Sequence, residues 1–101
     1  MSLSLKENPM VWVVVQTVDS VEQFVGQHSA DLDIMFIPFF EDKEEAQQGM
    51  SLIPRVKGSR YEVQAVHFQD LVGDAAQHGF LLFQTDADGQ VLDKIDPYAV
   101  A

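Results

Sequence analysis

Four acidic residues follow the most apolar segment of the chain, and they are the first candidates for chemistry. Glu41, Asp42, Glu44 and Glu45 lie close together, and paired carboxyl groups act as acid and base in glycosidases or as ligands of metal ions. Consecutive acids also commonly begin a helix, where they complement the positive end of its dipole. We therefore expect a solvated helix start here and assign no catalytic residue.

A second acidic segment, residues 86–89, has some features of a calcium loop. If Gly89 held the sharp-turn position of an EF-hand, Gln84 and Ile95 would stand at the first and last ligand positions, and neither is a carboxylate. The pair Asp88-Gly89 is instead typical of a tight β-hairpin turn. Because the chain also lacks cysteine and has no two histidines at a metal-binding helical spacing, we predict no metal site and no cofactor.

Signatures of nucleophilic catalysis are absent from the sequence. It has no serine in a Gly-x-Ser-x-Gly motif and no glycine-rich phosphate loop. Its histidines, His28, His67 and His78, are dispersed, although His67 and Asp70 could approach each other at a helix start. His28 and His78 lie near predicted helix C-termini, where an imidazole suits the dipole. The sequence thus favours a protein that is not an enzyme.

Half of the six basic residues fall in one predicted loop. Arg55, Lys57 and Arg60 lie beside Gly58 and Ser59, and such a cluster can contact a small anion or an acidic partner. A flexible, solvated loop in an otherwise acidic protein explains the same residues. This loop is the best candidate for a charged site.

A group of apolar residues is difficult to place on one core face. Met50, Leu52 and Ile53 follow a predicted helix, and Trp12 and Tyr98 are similarly ambiguous. They could form an interface with a protein partner or with a second copy of the chain. In a domain of this size they could equally close the rim of the core.

Composition narrows the classes of partner. The chain has 101 residues, 47% of them hydrophobic, and a formal net charge of −10, so it is expected to be one domain. Binding of nucleic acid or of an anionic membrane requires clustered positive charge, and the acidic balance argues against both. The apolar run at 10–15 is too short for a signal peptide or a membrane span, and we expect a cytoplasmic protein. Residues 1–9 are expected to be flexible, and Met1, Ser2 and Leu3 are given no function.

Apolar periodicity predicts eight elements in the order β-α-β-α-β-α-β-β. They are a strand at 10–16, a helix from about 19 to 28, a strand at 33–40, a helix from 42 to 48 or 50, a strand at 61–66, a helix at 68–76 and strands at 80–83 and 90–95. Pro38 lies inside the second strand and indicates an edge position, a bulge or an early end. Gly49 and Gly79 are candidate helix stops.

These elements predict a single small α/β domain with a mixed sheet of about five strands and about three helices. Strand–helix–strand units favour right-handed crossovers and parallel neighbours, whereas the last two strands should form an antiparallel hairpin. The order of strands within the sheet does not follow from the sequence.

About half of the chain resembles the SseB-like domain, a bacterial α/β family. The resemblance extends from Asp33 to about Asp86 and rests on the following segments: 34–40, 44–46, 63–66, 68–72, Gly79 and 80–83. It implies a mixed α/β fold and a protein-interaction or regulatory role, and it supplies no catalytic residues.

Two classes of function therefore remain open. One is a non-enzymatic interaction or regulatory module that acts through an apolar surface, on a protein partner or as a homodimer. The other is a small-ligand-binding or enzymatic α/β domain with an anion site at Arg55, Lys57 and Arg60, near the strand ends where open sheets place ligands. An exposed apolar surface would favour the first class, and a pocket with converging polar groups would favour the second.

Overall fold

The computed structural model describes residues 5–100, with only the backbone of Lys6, Ala99 and Val100. Met1, Ser2 and Leu3 lie outside the described residues. In chain order the elements are a 3₁₀ turn (Leu5–Glu7), β1 (Met10–Val18), β2 (Val21–Phe24), β3 (Gln27–Ser29), β4 (Ile34–Phe40), α1 (Lys43–Met50), β5 (Arg60–His67), α2 (Phe68–His78), β6 (Leu81–Thr85), β7 (Val91–Ile95) and a helical turn, α3 (Pro97–Val100).

All seven of these strands belong to one mixed sheet. Strand β1 pairs antiparallel with β5 on one side and with β2 and β4 on the other. Strand β4 pairs with β6 in the one parallel pairing among the described strands, and β7 lies antiparallel to β6. The small mixed α/β domain that the sequence predicted is confirmed, as is the antiparallel hairpin at its end.

The apolar pattern of β1 explains why helices pack on both faces of the sheet. Val11, Val13 and Val15 are buried with the apolar side of α2 in the larger core cluster. Val14, on the opposite face, belongs to a smaller cluster with Ala46 of α1. A strand that alternates between two cores must be apolar at nearly every position, which is what the sequence shows.

The predicted helix from about 19 to 28 is wrong. The chain turns back at Asp19 and Ser20, which have φ of 51° and 67°, and forms β2 antiparallel to β1. Positive φ at both central residues suits a two-residue hairpin turn, so the acid that resembled a helix cap is a turn residue. Strands β2 and β3 occupy the gap where β1 and β4 diverge.

The predicted counts and strand directions change with this correction. The described residues contain seven strands and two helices longer than one turn, rather than about five strands and three helices. The first four strands follow each other without a helix, so β1 is antiparallel to β4 and β5. Strands β4, β5 and β6, which α1 and α2 connect, run in the same direction, as the sequence predicted for strands joined by helices.

The interpretation of Pro38 is also wrong, because β4 continues to Phe40 in the middle of the sheet. On one edge Pro38 pairs with β6. On the other edge β3 pairs with β4 as far as Phe36, and β1 pairs with it only from Phe39 onward. Pro38 falls between these two pairings, where a missing N–H removes no ladder bond on that edge.

The two longer helices begin and end largely as the sequence predicted. Asp42 caps α1, because its Oδ1 accepts a hydrogen bond from the Glu45 backbone N at 2.8 Å. The stripe that begins at Phe68 is buried in α2, and Gly79 ends that helix with φ of 76°. Gly49 does not end α1; it lies inside the helix.

Residues 5–9, which were expected to be flexible, make specific contacts with the domain. Leu5 packs against the larger core cluster. The carbonyl of Pro9 accepts from the Phe68 backbone N at 2.9 Å, and Asn8 Oδ1 accepts from the Gln69 backbone N at 2.8 Å. This segment therefore caps α2 from about sixty residues away in the sequence.

Candidate functional site

A cleft with a largely apolar floor opens on the sheet face that carries α1, and we call it the β4–β6 cleft. Its floor consists of the inward side chains of β4, Phe36, Pro38 and Phe40, together with Thr85 at the end of β6. Its walls are the segment after α1, the β6–β7 turn and residues of β3 and β7: Gln27, Gly49, Leu52, Ile53, Asp88, Gly89 and Val91. The volume is about 290 Å³.

The cleft exists because α1 is too short to cover the whole sheet. With eight residues, α1 packs on β1, β4 and β5. Beyond it, the ring of Phe36 stacks on that of Phe83 with centroids 4.2 Å apart. Phe36 is half-buried at this position, whereas Phe40 and Phe83 are buried.

The segment after α1 forms the outer wall of the cleft. Ile53 is 7% exposed and belongs to the smaller core cluster, whereas the neighbouring Leu52 is 58% exposed. Leu52 reaches the β6–β7 turn: a Cβ atom built on Gly89 would lie 3.2 Å from its Cδ1. Val91 lines the opposite wall and is also exposed.

These positions separate the roles of the three apolar residues that the sequence singled out. Met50 is half-buried against the core, and Ile53 is a core residue. Leu52 alone of the three presents most of its side chain to solvent. Met50 and Ile53 thus pack against the core, and of the three residues only Leu52 is exposed enough to take part in an interface.

Carboxylates lie at one end of the cleft. Asp88 lines it, and Asp86 follows β6 just as Glu41 follows its parallel neighbour β4. Burial raises the pKa of Glu45, and the negative charges of Asp42, Glu41 and Asp86 raise it further. Several negative charges therefore lie near this end of the cleft.

These acids are not arranged as a metal site. Asp86 Oδ1 accepts from the backbone N atoms of Asp88 and Gln90, both at 2.9 Å, so its carboxylate stabilises the hairpin turn. Within residues 5–100, no group of three acidic, histidine or cysteine side chains is placed to hold a metal ion.

The basic loop does not bring its three cations together. The guanidinium of Arg55 lies 5.2 Å from the Tyr61 ring centroid, and the Tyr61 hydroxyl accepts from the Val56 backbone N at 2.9 Å. Arg55 and Arg60 line a depression with two glutamates, Glu22 and Glu62. Lys57 is exposed and is not among the residues that line it.

The histidines are dispersed in the structure as well. His67 precedes α2 without a side-chain capping bond, and no hydrogen bond joins it to Asp70 among the described contacts. His28 lies in β3 rather than at a helix end, and its Nε2 is 3.0 Å from Asp33 Oδ1. His78 is at the end of α2, as predicted, with Nδ1 2.9 Å from the Asp74 carbonyl.

The floor of the cleft was not identified from the sequence. The run at 33–40 indicated a strand buried on both faces, and the pattern gives no indication that one face lacks a covering layer. The signal that existed was the shortness of the helix between Asp42 and Met50, set against a strand of seven residues.

Comparison with known proteins gives no match: no family model, curated protein or solved structure matches this chain. The resemblance to the SseB-like domain stays a prediction. None of the helices that the structure describes has the length and apolar character needed to span a membrane.

Proposed function

We propose that this protein is a non-enzymatic interaction module whose β4–β6 cleft binds a short apolar segment of another protein, flanked by basic residues. The observation that carries the proposal is a concave surface with an apolar floor, formed by Phe36, Pro38 and Phe40, beside the exposed Leu52 and Val91. Clustered apolar exposure of this kind is characteristic of interaction sites.

The size and lining of the cleft support a side-chain ligand. Its volume of about 290 Å³ is at the lower limit of the roughly 300–1,000 Å³ of small-molecule pockets. The polar side chains of its lining are those of Gln27, Thr85 and Asp88, and the Thr85 hydroxyl already donates to the Phe83 carbonyl at 2.9 Å. A converging set of polar groups, which catalysis would need, is not among its lining residues.

Charge supports the basic character of the partner. The chain carries a net charge of −10, and Asp88 and Asp86 stand at one end of the cleft. A partner with lysine or arginine next to its apolar anchor would associate faster with this acidic protein. Its positive charge would complement the carboxylates of Asp88 and Asp86. The resemblance to the SseB-like domain, which implies an interaction or regulatory role, agrees with this proposal, and a cytoplasmic location remains our prediction.

The alternative, an anion site at Arg55, Lys57 and Arg60, has less support. Glu22 and Glu62 share the depression with the two arginines, and their negative charges oppose binding of an anion. We therefore place the function in the cleft.

Selection of phage-displayed random peptides on the purified protein tests the proposal. We expect enrichment of peptides with an aromatic or large aliphatic residue next to Lys or Arg. Their binding should be lost in Leu52→Asp and Val91→Asp and kept in Leu32→Asp, a control that places the same charge on an exposed leucine away from the cleft. Failure to enrich any such peptide, or binding that both cleft variants retain, would refute the proposal.

A further inference from the structure

Strands β5 and β7 lie at the two ends of the sheet, and each is paired on one side in the part of the chain that the structure describes. The short strands β2 and β3 also have one partner each, but they lie in the gap between β1 and β4. The outer backbone N–H and C=O groups of such end strands can pair with another strand, and proteins usually protect them. The two edges of this sheet differ sharply in how well they are protected.

Strand β7 has several protective features. It contains five residues, and its register with β6 shifts between Gln84 and Thr85. Asp93 and Lys94 place charges on it. Short length, an irregular register and charged side chains all discourage further pairing.

Strand β5 also carries two charged residues, but it is longer and its register is regular. It contains eight residues and pairs with β1 in unbroken register from His67 to Arg60. It contains no proline or glycine, and its one acid and one arginine nearly balance in a chain of net charge −10. Side chains on both of its faces pack into the core, Tyr61 and Val63 on one and Val66 on the other. Packing on both faces thus holds the strand in place, and among the described residues β5 pairs only with β1.

We propose that β5 pairs antiparallel with β5 of a second copy of this chain, so that one sheet continues across a two-fold dimer. A two-fold axis perpendicular to the sheet places α1 of both copies on one face of the continued sheet and α2 of both copies on the other. Because the axis passes beside β5, this strand pairs with β5 of the other copy. The pairing adds main-chain hydrogen bonds, as in other cases of strand addition.

The length of the paired segment and side-chain charge together select the register. An axis at Tyr61 would place Arg60 opposite Glu62, but it would pair only residues 60–62 of β5, whereas an axis at Val63 pairs residues 60–66. An axis at Gln64 would pair as many residues, but it would place Glu62 opposite Val66.

An axis at Glu62 would place two glutamates opposite each other, which is unfavourable. An axis at Val63 places Glu62 opposite Gln64 of the other copy, twice. The Gln64 amide already donates to Glu62 within the strand at 2.7 Å, so the two side chains lie on the same face and the pair is compatible across the axis. No β5 residue lines the β4–β6 cleft, and the dimer does not depend on the proposed function.

Analytical ultracentrifugation of the full chain and of charge variants tests the dimer. Gln64→Glu should weaken the dimer about tenfold, because it places like charges opposite each other at two positions, and Gln64→Lys should strengthen it. Lys94→Gln and Asp93→Asn make the same changes in net charge on β7, and they should leave the dimer unchanged. A monomeric parent protein at millimolar concentration, or a dimer that neither Gln64 variant affects, would overturn the proposal.

Hydrogen exchange of the parent protein gives a second, variant-free test. Amides of β5 that face β1 should be protected at every protein concentration. Alternate amides, which face outward, should gain protection only as the protein concentration rises. Outward amides that exchange rapidly in a sample shown to be dimeric would place the dimer contact elsewhere and exclude this strand pairing.

Discussion

The ring of Phe40 occupies the space into which a side chain at Gly49 would project. A Cβ atom built on Gly49 would lie 2.5 Å from both Cε2 and Cζ of Phe40. Contact this close lets α1 pack directly on the sheet, and it makes Phe40 part of the floor of the β4–β6 cleft. The glycine that resembled a helix stop is thus a packing residue.

Substitution of this glycine should destabilise the domain. Alanine normally stabilises a helix interior relative to glycine by about 1 kcal/mol, but in Gly49→Ala the methyl group must displace a buried ring. We expect a net loss of about 1–3 kcal/mol in the free energy of unfolding. Gly73→Ala in α2 is the matched control, since no atom lies within 4 Å of its Cβ position, and it should stabilise by up to about 1 kcal/mol. Urea denaturation measures both, and a stabilised Gly49→Ala would contradict the close packing.

Aspartate at Leu52 and at Ile53 should have opposite consequences for folding. Ile53→Asp places an unpaired charge in the core, which costs several kcal/mol, about the whole stability of a small domain. Leu52→Asp changes an exposed side chain and should cost about 1 kcal/mol or less. Circular dichroism should show an unfolded Ile53→Asp and a native Leu52→Asp. If Leu52→Asp also unfolds, it is a core residue and cannot serve as an interaction wall.

The cap of α2 depends on Asn8. Its Oδ1 accepts from the Gln69 backbone N at 2.8 Å, and its φ of 53° is in the left-handed region. Asn8→Gly keeps that conformation but removes the acceptor, and it should cost a few tenths of a kcal/mol of stability. Asn8→Asp keeps an acceptor and should be close to the parent protein. Equal melting temperatures for Asn8→Gly and Asn8→Asp would show that the cap contributes nothing.

The acidic end of the cleft should make stability depend on pH. The pKa of Glu45 is raised above its ordinary 4.5 by burial and then by Asp42, Glu41 and Asp86. Folding therefore favours the protonated form, and this group destabilises the folded state as the pH rises through and above 4.5.

Replacement of Glu45 by glutamine tests this dependence. Glu45→Gln should be more stable than the parent protein at pH 7, and the difference should shrink as the pH falls to about 4, where a carboxyl group approaches half-protonation. Glu44→Gln is the control for loss of one exposed charge. Thermal melts across this pH range measure the difference in stability between Glu45→Gln and the parent protein. A difference that grows toward low pH would contradict a raised pKa of Glu45.

Much of the fold is encoded locally and could be predicted. The apolar runs at β1, β4 and β6 identify buried strands, and the stripe from Phe68 identifies α2. Asp42 as a cap and Asp88-Gly89 as a turn follow from the chemistry of single residues.

The rest depends on partners far apart in the sequence. The segment from Val18 to Val25 fits a helical period and a strand about equally well, and pairing with β1 and the gap between β1 and β4 determine the outcome. Likewise, Pro38 is tolerated because it lies between the part of β4 that pairs with β3 and the part that pairs with β1. The cleft arises from the difference in width between one helix and a seven-stranded sheet, a relation that no local pattern contains.

Chemical-shift mapping of the ¹⁵N-labelled protein with a peptide selected by display tests the central claim most directly. If the β4–β6 cleft is the interaction site, the largest shifts should occur at the backbone amides of Phe36, Leu52, Gly89 and Val91. They should be absent when Leu52→Asp is titrated in the same way. Shifts concentrated on the α2 face or along β5, or shifts that Leu52→Asp leaves intact, would contradict the claim.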